Sequence, residues 1–401
     1  MPTGCKEKMI DLMIHLSTRV LHFGIAVAFL LLLGEPKSLA QIPDAPLLPE
    51  SYSLNDQKAT QETQALYRHL ATIGQSAHFL FGHQDDLAYG VHWKRESGRS
   101  DVRESCGSYP ALYGWELSKL GTRENNIDSV SFEDMRRWII EAYERGGVNT
   151  ISWHMDNPVT GGNSWDTTSA VYSILPGGEH HAWFLNKLDL FAEFVNSLES
   201  GKLFKHKIPI IFRPWHEHTG AWFWWGETHR RADEYKALWR FTLHYLREEK
   251  GLHQLIYAYS TDIFSSKEEY LACYPGDEYV DIFGMDDYHD LSLQGSPAML
   301  THRLGMLVEL AEERGKVAAL TETGQETIEH PYWWTGTLLK HIQDDEKAKR
   351  IAYVMVWRNA RLQHHYAPFP GHKSRPDFVL FRHQSAVLFE NDLPNIYRMP
   401  K

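Results

Sequence analysis

The chain has 401 residues, 43% of them hydrophobic and 23% charged, with a formal net charge of −11. That balance suits a globular protein with a large core. It excludes a nucleic-acid partner, whose binding rests on clustered Lys and Arg, and leaves a neutral polymer as a compatible ligand. The count that stands out is 14 Trp, beside 19 Tyr and 18 Phe. An indole N–H needs a partner when it is buried. An excess of Trp therefore points to flat binding surfaces as well as to an aromatic core, and sugar rings present matching C–H faces.

At the N-terminal end, Lys6, Lys8 and Arg19 precede the apolar run Gly24 to Leu33, and Gly34, Pro36 and Ser38-Leu39-Ala40 follow. This order predicts a secretory signal over residues 1–40, cleaved after Ala40, and a single domain over 41–401. The apolar run is short for a span of about 20 residues. A periplasmic or extracellular location is expected, without stable membrane insertion after cleavage. Only Cys106 and Cys273 remain in the mature chain. Two distant thiols exclude a disulfide-built scaffold and a cysteine zinc cluster, and their spacing leaves open whether they pair.

Along the mature chain, residues 41–56 read as a strap and Gln57–Leu70 as a helix. Eight short apolar runs then recur, each ending in polar or aromatic residues: His78–His83, Tyr109–Glu116, Val148–His154, Ile208–Trp215, Leu255–Ser260, Val280–Asp286, Val317–Thr321 and Ala352–Trp357. Helical patterns lie between most of them, over Phe132–Arg145, Trp183–Leu198, Ala232–Glu249, Met299–Arg314 and Thr335–Lys347. Eightfold strand–helix alternation predicts an α/β fold, a (β/α)8 TIM barrel. A doubly wound sheet competes, but no Gly-rich phosphate loop follows the first strand. In a barrel the active site lies at the C-terminal strand ends. Those ends carry His83 to Asp86, Glu116, His154, Arg213 to His218, Asp286 to His289, Glu322 and Trp357 to Asn359.

Two glutamates dominate that set. Glu217 follows Ile208-Pro-Ile-Ile-Phe-Arg-Pro-Trp-His, and Glu322 ends Val317-Ala-Ala-Leu-Thr. Carboxylates from two parallel strand ends can face each other across one small site, as hydrolysis of a glycosidic bond through a covalent intermediate requires. Aromatic neighbours of Glu217 would desolvate its carboxyl and raise its pKa, which suits a general acid. Glu322 must stay ionised to act as nucleophile, and Tyr288 and Arg213 are available donors. A structural ion pair between Glu217 and Arg213 is the plainer reading of the first glutamate. A capping role is the plainer reading of the second. The alternating His216 and His218, with His83, His154 and His289, also raise a zinc site. No His-Glu-x-x-His helix pattern accompanies them, and no metal or other cofactor is expected. Trp222, Trp224, Trp225 and Trp357 are candidate sugar platforms, since the loop Trp222-Phe-Trp-Trp-Gly226 has too many indoles to turn all of them inward.

Arg213-Pro-Trp-His-Glu217-His-Thr-Gly-Ala-Trp222-Phe-Trp-Trp-Gly resembles the acid/base segment of the glycoside hydrolase family 26 β-mannanases. Ala319-Leu-Thr-Glu322-Thr-Gly is similar to their nucleophile segment. The resemblance runs from about His78 to Trp357. It implies a (β/α)8 barrel and a retaining double displacement on β-1,4-mannosidic bonds, with Glu217 as acid/base and Glu322 as nucleophile. It further implies that His216 positions the acid/base or touches the sugar, and that Tyr288 holds the nucleophile. Trp222, Trp225 and Trp357 would line subsites, His154 and Asp286 would contact sugar, and Arg358 would contribute beyond the −1 sugar. The implied partner is a mannan-type polysaccharide or manno-oligosaccharide. Members acting on mixed-linkage β-glucan or β-1,3-xylan share the two carboxylates, so the resemblance leaves substrate open, as it does endo against exo action. A non-catalytic carbohydrate-binding barrel is the alternative of another class. The segment from Gly161 to His181 is expected to wall off one end of the cleft if short products such as mannobiose are released.

Overall fold

The computed structural model describes residues 48, 52–202 and 205–400. The leader proposed over residues 1–40 lies outside them. Eight parallel strands form the barrel: β1 Phe79–Gln84, β2 Leu112–Glu116, β3 Val148–Ser152, β4 Ile210–Arg213, β5 Leu255–Thr261, β6 Ile282–Asp287, β7 Val317–Thr323 and β8 Tyr353–Val356. Each pairs with its neighbour in sequence, and β8 closes on β1 through Leu80 opposite Tyr353. A ninth short strand, β9 Val387–Leu388, adds to the outside of β1.

The strand limits follow local chemistry. Pro209 and Pro214 lack the N–H that a ladder needs and bracket β4. Helices α1 Gln61–Gln75, α2 Phe132–Arg145, α3 His181–Asn196, α4 Ala232–His244, α5 Pro297–Glu312 and α6 Arg375–Arg382 pack outside or across the barrel. Ser131 caps α2 by accepting from Asp134 N at 3.0 Å, and Gly146 ends it in the left-handed conformation at φ 100°.

Two apolar clusters share the strands. Leu80, Leu112, Val148, Ile211, Ile256, Ile282, Val317 and Tyr353, one from each barrel strand, meet inside and join Leu66, Tyr67 and Leu70 of α1. Helix α1 thus plugs the N-terminal mouth with apolar side chains, and Tyr67 donates to the Asp281 carbonyl there at 3.2 Å. The other cluster lies between strands and outer helices, where Phe81 stacks on Phe389 and meets Phe378 edge-on. With one mouth filled, the polar ends gather at the other.

Irregularities mark that end. The β6–β7 ladder shifts register between Met285 and Asp286, which sets Asp286 opposite Glu322. The β7–β8 ladder shifts between Leu320 and Thr323. Bulges of this kind re-aim side chains and recur beside active sites.

Several elements differ from the sequence reading. The helix expected over Thr335–Lys347 begins as a wide π-helical stretch, Trp334–Leu339, and only then becomes α-helical over Lys340–Gln343. The end of the helix expected over Ala232–Glu249 widens in the same way from Tyr245. Hydrophobic spacing at a period near 3.6 does not distinguish these turns from α-helix. Helix α6 and β9 follow the last predicted strand and are too short to show a period. Cys106 and Cys273 are free thiols. Among the described residues no helix is long and apolar enough to cross a membrane.

Candidate active site

Strand β4 ends in a tight coil rather than a straight continuation. Trp215 and Glu217 both take left-handed backbone at φ 53° and 52°. Such residues cost about 1–3 kcal/mol each and persist only where the surroundings hold them. Here Glu217 N donates to the Ser260 carbonyl at 3.1 Å, and Tyr235 donates to the Trp215 carbonyl at 2.8 Å. The coil turns Trp215 into the core and Glu217 into the cleft. It also separates the two histidines. His216 faces His154, whereas His218 packs on Tyr235 and Tyr259 and takes a contact from Arg230. His83 is paired with Asp86, and His289 is largely exposed beside Asp290. Of the histidines that suggested a zinc site, His154 and His216 meet, whereas His83, His218 and His289 each lie apart from them.

Glu217 and Glu322 do meet. One carboxylate oxygen from each, with one from Asp286, lies within 4.8 Å of the others. The environments of the two glutamates differ. Glu217 accepts from the Trp222 indole N–H at 2.7 Å and sits beside aromatic rings. Burial, and then the negative charges of Asp286, Glu322 and Asp262, push its pKa well above the ordinary value. Asp262, at the end of β5, is itself raised to about 6 by burial. Glu322 accepts from the Arg213 guanidinium at one oxygen and from the Tyr288 hydroxyl, 3.0 Å away, at the other. Arg213 pairs with Glu322 and Asp286 rather than with Glu217.

The remaining predicted residues divide. Trp222 is 38% exposed and Trp357 half-buried, with Trp357 edge-on to His154 at 6.5 Å. His154 stacks on Trp165, a ring 46% exposed. Arg358 pairs with Asp128 at 2.8 Å and contacts the Tyr89 hydroxyl. Arg358, Asp128 and Tyr89 line an open cavity of about 800 Å³ together with Trp93, Ile127, Arg361 and Leu362.

Two expectations are corrected. Trp225 is fully buried, and its N–H donates to the His216 carbonyl at 2.9 Å, so it has no ring face for a sugar. Trp224 is likewise buried on the Met155 carbonyl. Asp286 has no exposed surface; Arg213 and Ser260 occupy one of its oxygens and Thr321 the other. It holds the guanidinium instead of contacting sugar. The residues missed are Trp165 and Asp128, which lie in loops beyond strand ends. A lone Trp in the polar run Gly161-Gly-Asn-Ser-Trp165-Asp was the available signal for the first.

Residues 55–356 match the family model for glycosyl hydrolase family 26. The chain belongs to that family. The matched span includes Glu217, Tyr288 and Glu322 and ends just before Trp357 and Arg358. The chain is 36% identical over 330 residues to a mannan endo-1,4-β-mannosidase of Bifidobacterium adolescentis, covering 77% of this chain and 32% of that protein. It thus spans about a third of that curated relative, and 58% of a similar one from Caldalkalibacillus mannanilyticus. Among solved structures, a family 26 β-mannanase from Bacteroides ovatus superposes with a TM-score of 0.80 at 43% identity, over 85% of this chain and 98% of that one. A modular endo-β-1,4-mannanase from Cellulomonas fimi gives 0.79 at 34%, over 86% and 79%.

Proposed function

We propose that this family 26 barrel hydrolyses β-1,4-mannosidic bonds in mannan-type polysaccharides with retention of anomeric configuration. The carrying observation is the carboxyl spacing. One oxygen of Glu217 and one of Glu322 come within 4.8 Å of each other, the close approach that supports a double displacement through a covalent intermediate. The unlike environments supply the two roles. In the first step a Glu322 oxygen attacks the anomeric carbon, the glycosidic C–O bond breaks, and Glu217 gives its proton to the departing oxygen. In the second, Glu217 takes a proton from water, the water oxygen bonds to the anomeric carbon, and the ester bond to Glu322 breaks. Mannan as substrate follows the relatives' names. The cavity beside Arg358 is open and not walled off, which supports endo action. The leader expected over residues 1–40 supports secretion; N-terminal sequencing of secreted protein should begin at Gln41.

The deciding experiment is product analysis on linear mannan, galactomannan, lichenan and β-1,3-xylan, with the anomeric configuration of the first product followed by NMR. Random scission of mannan with β-configured first products is expected. Cleavage of lichenan or xylan alone would overturn the substrate, α-configured products the mechanism, and mannobiose as the sole early product endo action. No turnover of any polymer would favour a binding barrel.

A further inference from the structure

The ends of β2, β3 and β4 carry a chain of three titratable side chains that the displacement chemistry does not use. His154 Nε2 and His216 Nε2 lie 3.2 Å apart, with the rings edge to face at 85°. Two imidazole nitrogens at that distance share a single proton. The other nitrogen of His154, Nδ1, is 2.6 Å from a Glu116 oxygen. Glu116 has no exposed surface, and it also accepts from Ser118 N at 2.5 Å, His154 N at 2.8 Å and Ser152 Oγ at 3.1 Å. A carboxyl surrounded by four donors is held as the acceptor-only carboxylate. His154 Nδ1 therefore carries a proton.

The proton between the two rings then has two placements. If His154 is neutral, its Nε2 is a lone pair, and His216 must donate from Nε2. If His154 is imidazolium, it donates from Nε2, and His216 becomes the neutral Nδ1–H tautomer. The charge of His154 thus dictates the tautomer of the residue that immediately precedes Glu217. Its surroundings favour the cation. The carboxylates facing it are Glu116 from β2, Glu322 from β7 and Asp128 from the loop after β2, and against the cost of burial they raise its pKa. His216 is driven the other way, well below its ordinary value, by burial, Arg213 and His154 itself. A neutral His154 would leave Glu116 as a buried carboxylate with no positive partner, which is strongly unfavourable.

We propose that Glu116 is a positioning residue that holds His154 as an imidazolium and thereby locks His216 in its Nδ1–H tautomer beside the acid/base. The bearing on catalysis rests on the hydrolase reading above; the protonation pattern does not. His154 is the member of the relay that stacks on Trp165 and meets Trp357 edge-on, so its charge is also presented to the cleft wall.

The test reads the free enzyme first. In protein labelled with 15N-histidine, the Nδ1 and Nε2 resonances of His154 and His216 are assigned by comparison with His154→Gln and His216→Asn. At neutral pH wild type should show both His154 nitrogens protonated and His216 protonated at Nδ1 only. Glu116→Gln removes the charge and keeps the shape. The His154 titration should fall by about 1–3 pH units, the effect of one close carboxylate, and His216 should change tautomer. In mannan hydrolysis kcat of Glu116→Gln should fall with the lowered His154 titration, at a pH below the fall that Glu217 deprotonation sets in wild type, with KM little changed. Adding Glu116→Gln to His154→Gln should leave the basic limb of kcat unmoved. A neutral His154 in wild type at neutral pH overturns the proposal without any variant. So does a Glu116→Gln enzyme with uniformly lower activity and unshifted limbs, which would show a merely structural role. Failure of wild type to cleave mannan would remove the hydrolase reading and leave the resonance pattern to be judged on its own.

Discussion

The ends of β4 and β7 deliver the same side chain to the same place by opposite means. Glu322 stays within strand β7, beside its bulge, and is gripped by a guanidinium and a phenol. Glu217 sits on a left-handed residue in a coil, among rings, with one indole donor. Charged and hydrogen-bonding donors keep a carboxylate ionised, and apolar burial beside other carboxylates keeps one protonated. The division of labour proposed between nucleophile and acid therefore rests on the surroundings, since the two side chains are chemically identical.

The sharpest break of that comparison is Glu322→Ala. It should abolish mannan turnover, and added azide should restore a product of inverted configuration at the vacated face. Glu217→Ala should cost about 10²–10⁴-fold in kcat, the usual worth of a general acid, and much less on an aryl mannoside whose leaving group needs no proton. A product of retained configuration with azide in Glu322→Ala would exchange the two roles.

The pH dependence follows with a definite sign. Glu217 must be protonated to act, so kcat/KM should fall as pH rises through its elevated pKa. Stability carries the same sign. The folded state binds this proton more tightly than the unfolded chain, whose value is about 4.5. The resulting stabilisation is complete below that value and is lost as pH rises through the elevated one. Glu217→Gln should remove this slope, read by chemical denaturation at several pH values; an unchanged slope would mean that Glu217 is ionised in the native state. At the β7 side, Arg213→Met strands Asp286 and Glu322 without their cation. A loss of about 3–5 kcal/mol is expected, as for other broken buried pairs, together with a rise in the pH at which activity appears.

Between the two ends stands Trp222. Trp222→Phe keeps a ring and removes the donor to Glu217, worth about 1–2 kcal/mol, or roughly 5–30-fold in kcat. Gly220 offers an independent handle. A Cβ there would lie 2.3 Å from the Trp222 ring, so Gly220→Ala should displace the indole and produce a similar loss. If Trp222→Phe is silent and Gly220→Ala is not, the glycine acts through the loop and not through the hydrogen bond.

Much of this site was legible in the sequence because a barrel converts strand ends into neighbours. Once eight apolar runs were recognised, Glu217, Tyr288, Glu322 and Arg213 fell together without any distance being known. What stayed hidden was direction. Asp286 ends a strand just as Glu322 does, yet the extra residue that β7 carries at Thr321 and the Thr321 and Ser260 hydroxyls hold it toward Arg213. His216 and His218 alternate as a strand would have them, yet the left-handed Glu217 between them ends the alternation. Trp165 lies in a loop that carries no period, so its contacts with His154 and Phe223 are what place it at the cleft.

Trp225 tests the limit of composition as a guide. A run of indoles after an acid/base glutamate suggests sugar platforms. The loop instead turns two of three inward, because their N–H groups find the backbone carbonyls of Met155 and His216. Burial of an indole is tolerable once that donor is paired. Trp225→Phe should therefore leave KM for mannan unchanged and kcat within a few-fold of wild type. It should cost about 1–3 kcal/mol of stability, the price of a buried carbonyl left unpaired. Thermal denaturation beside steady-state kinetics separates the two. A tenfold rise in KM at unchanged stability would put Trp225 in contact with sugar and contradict its burial. A loss of stability alone would leave Trp222 as the ring of this loop that the substrate meets, with Trp225 supporting the coil that presents Glu217.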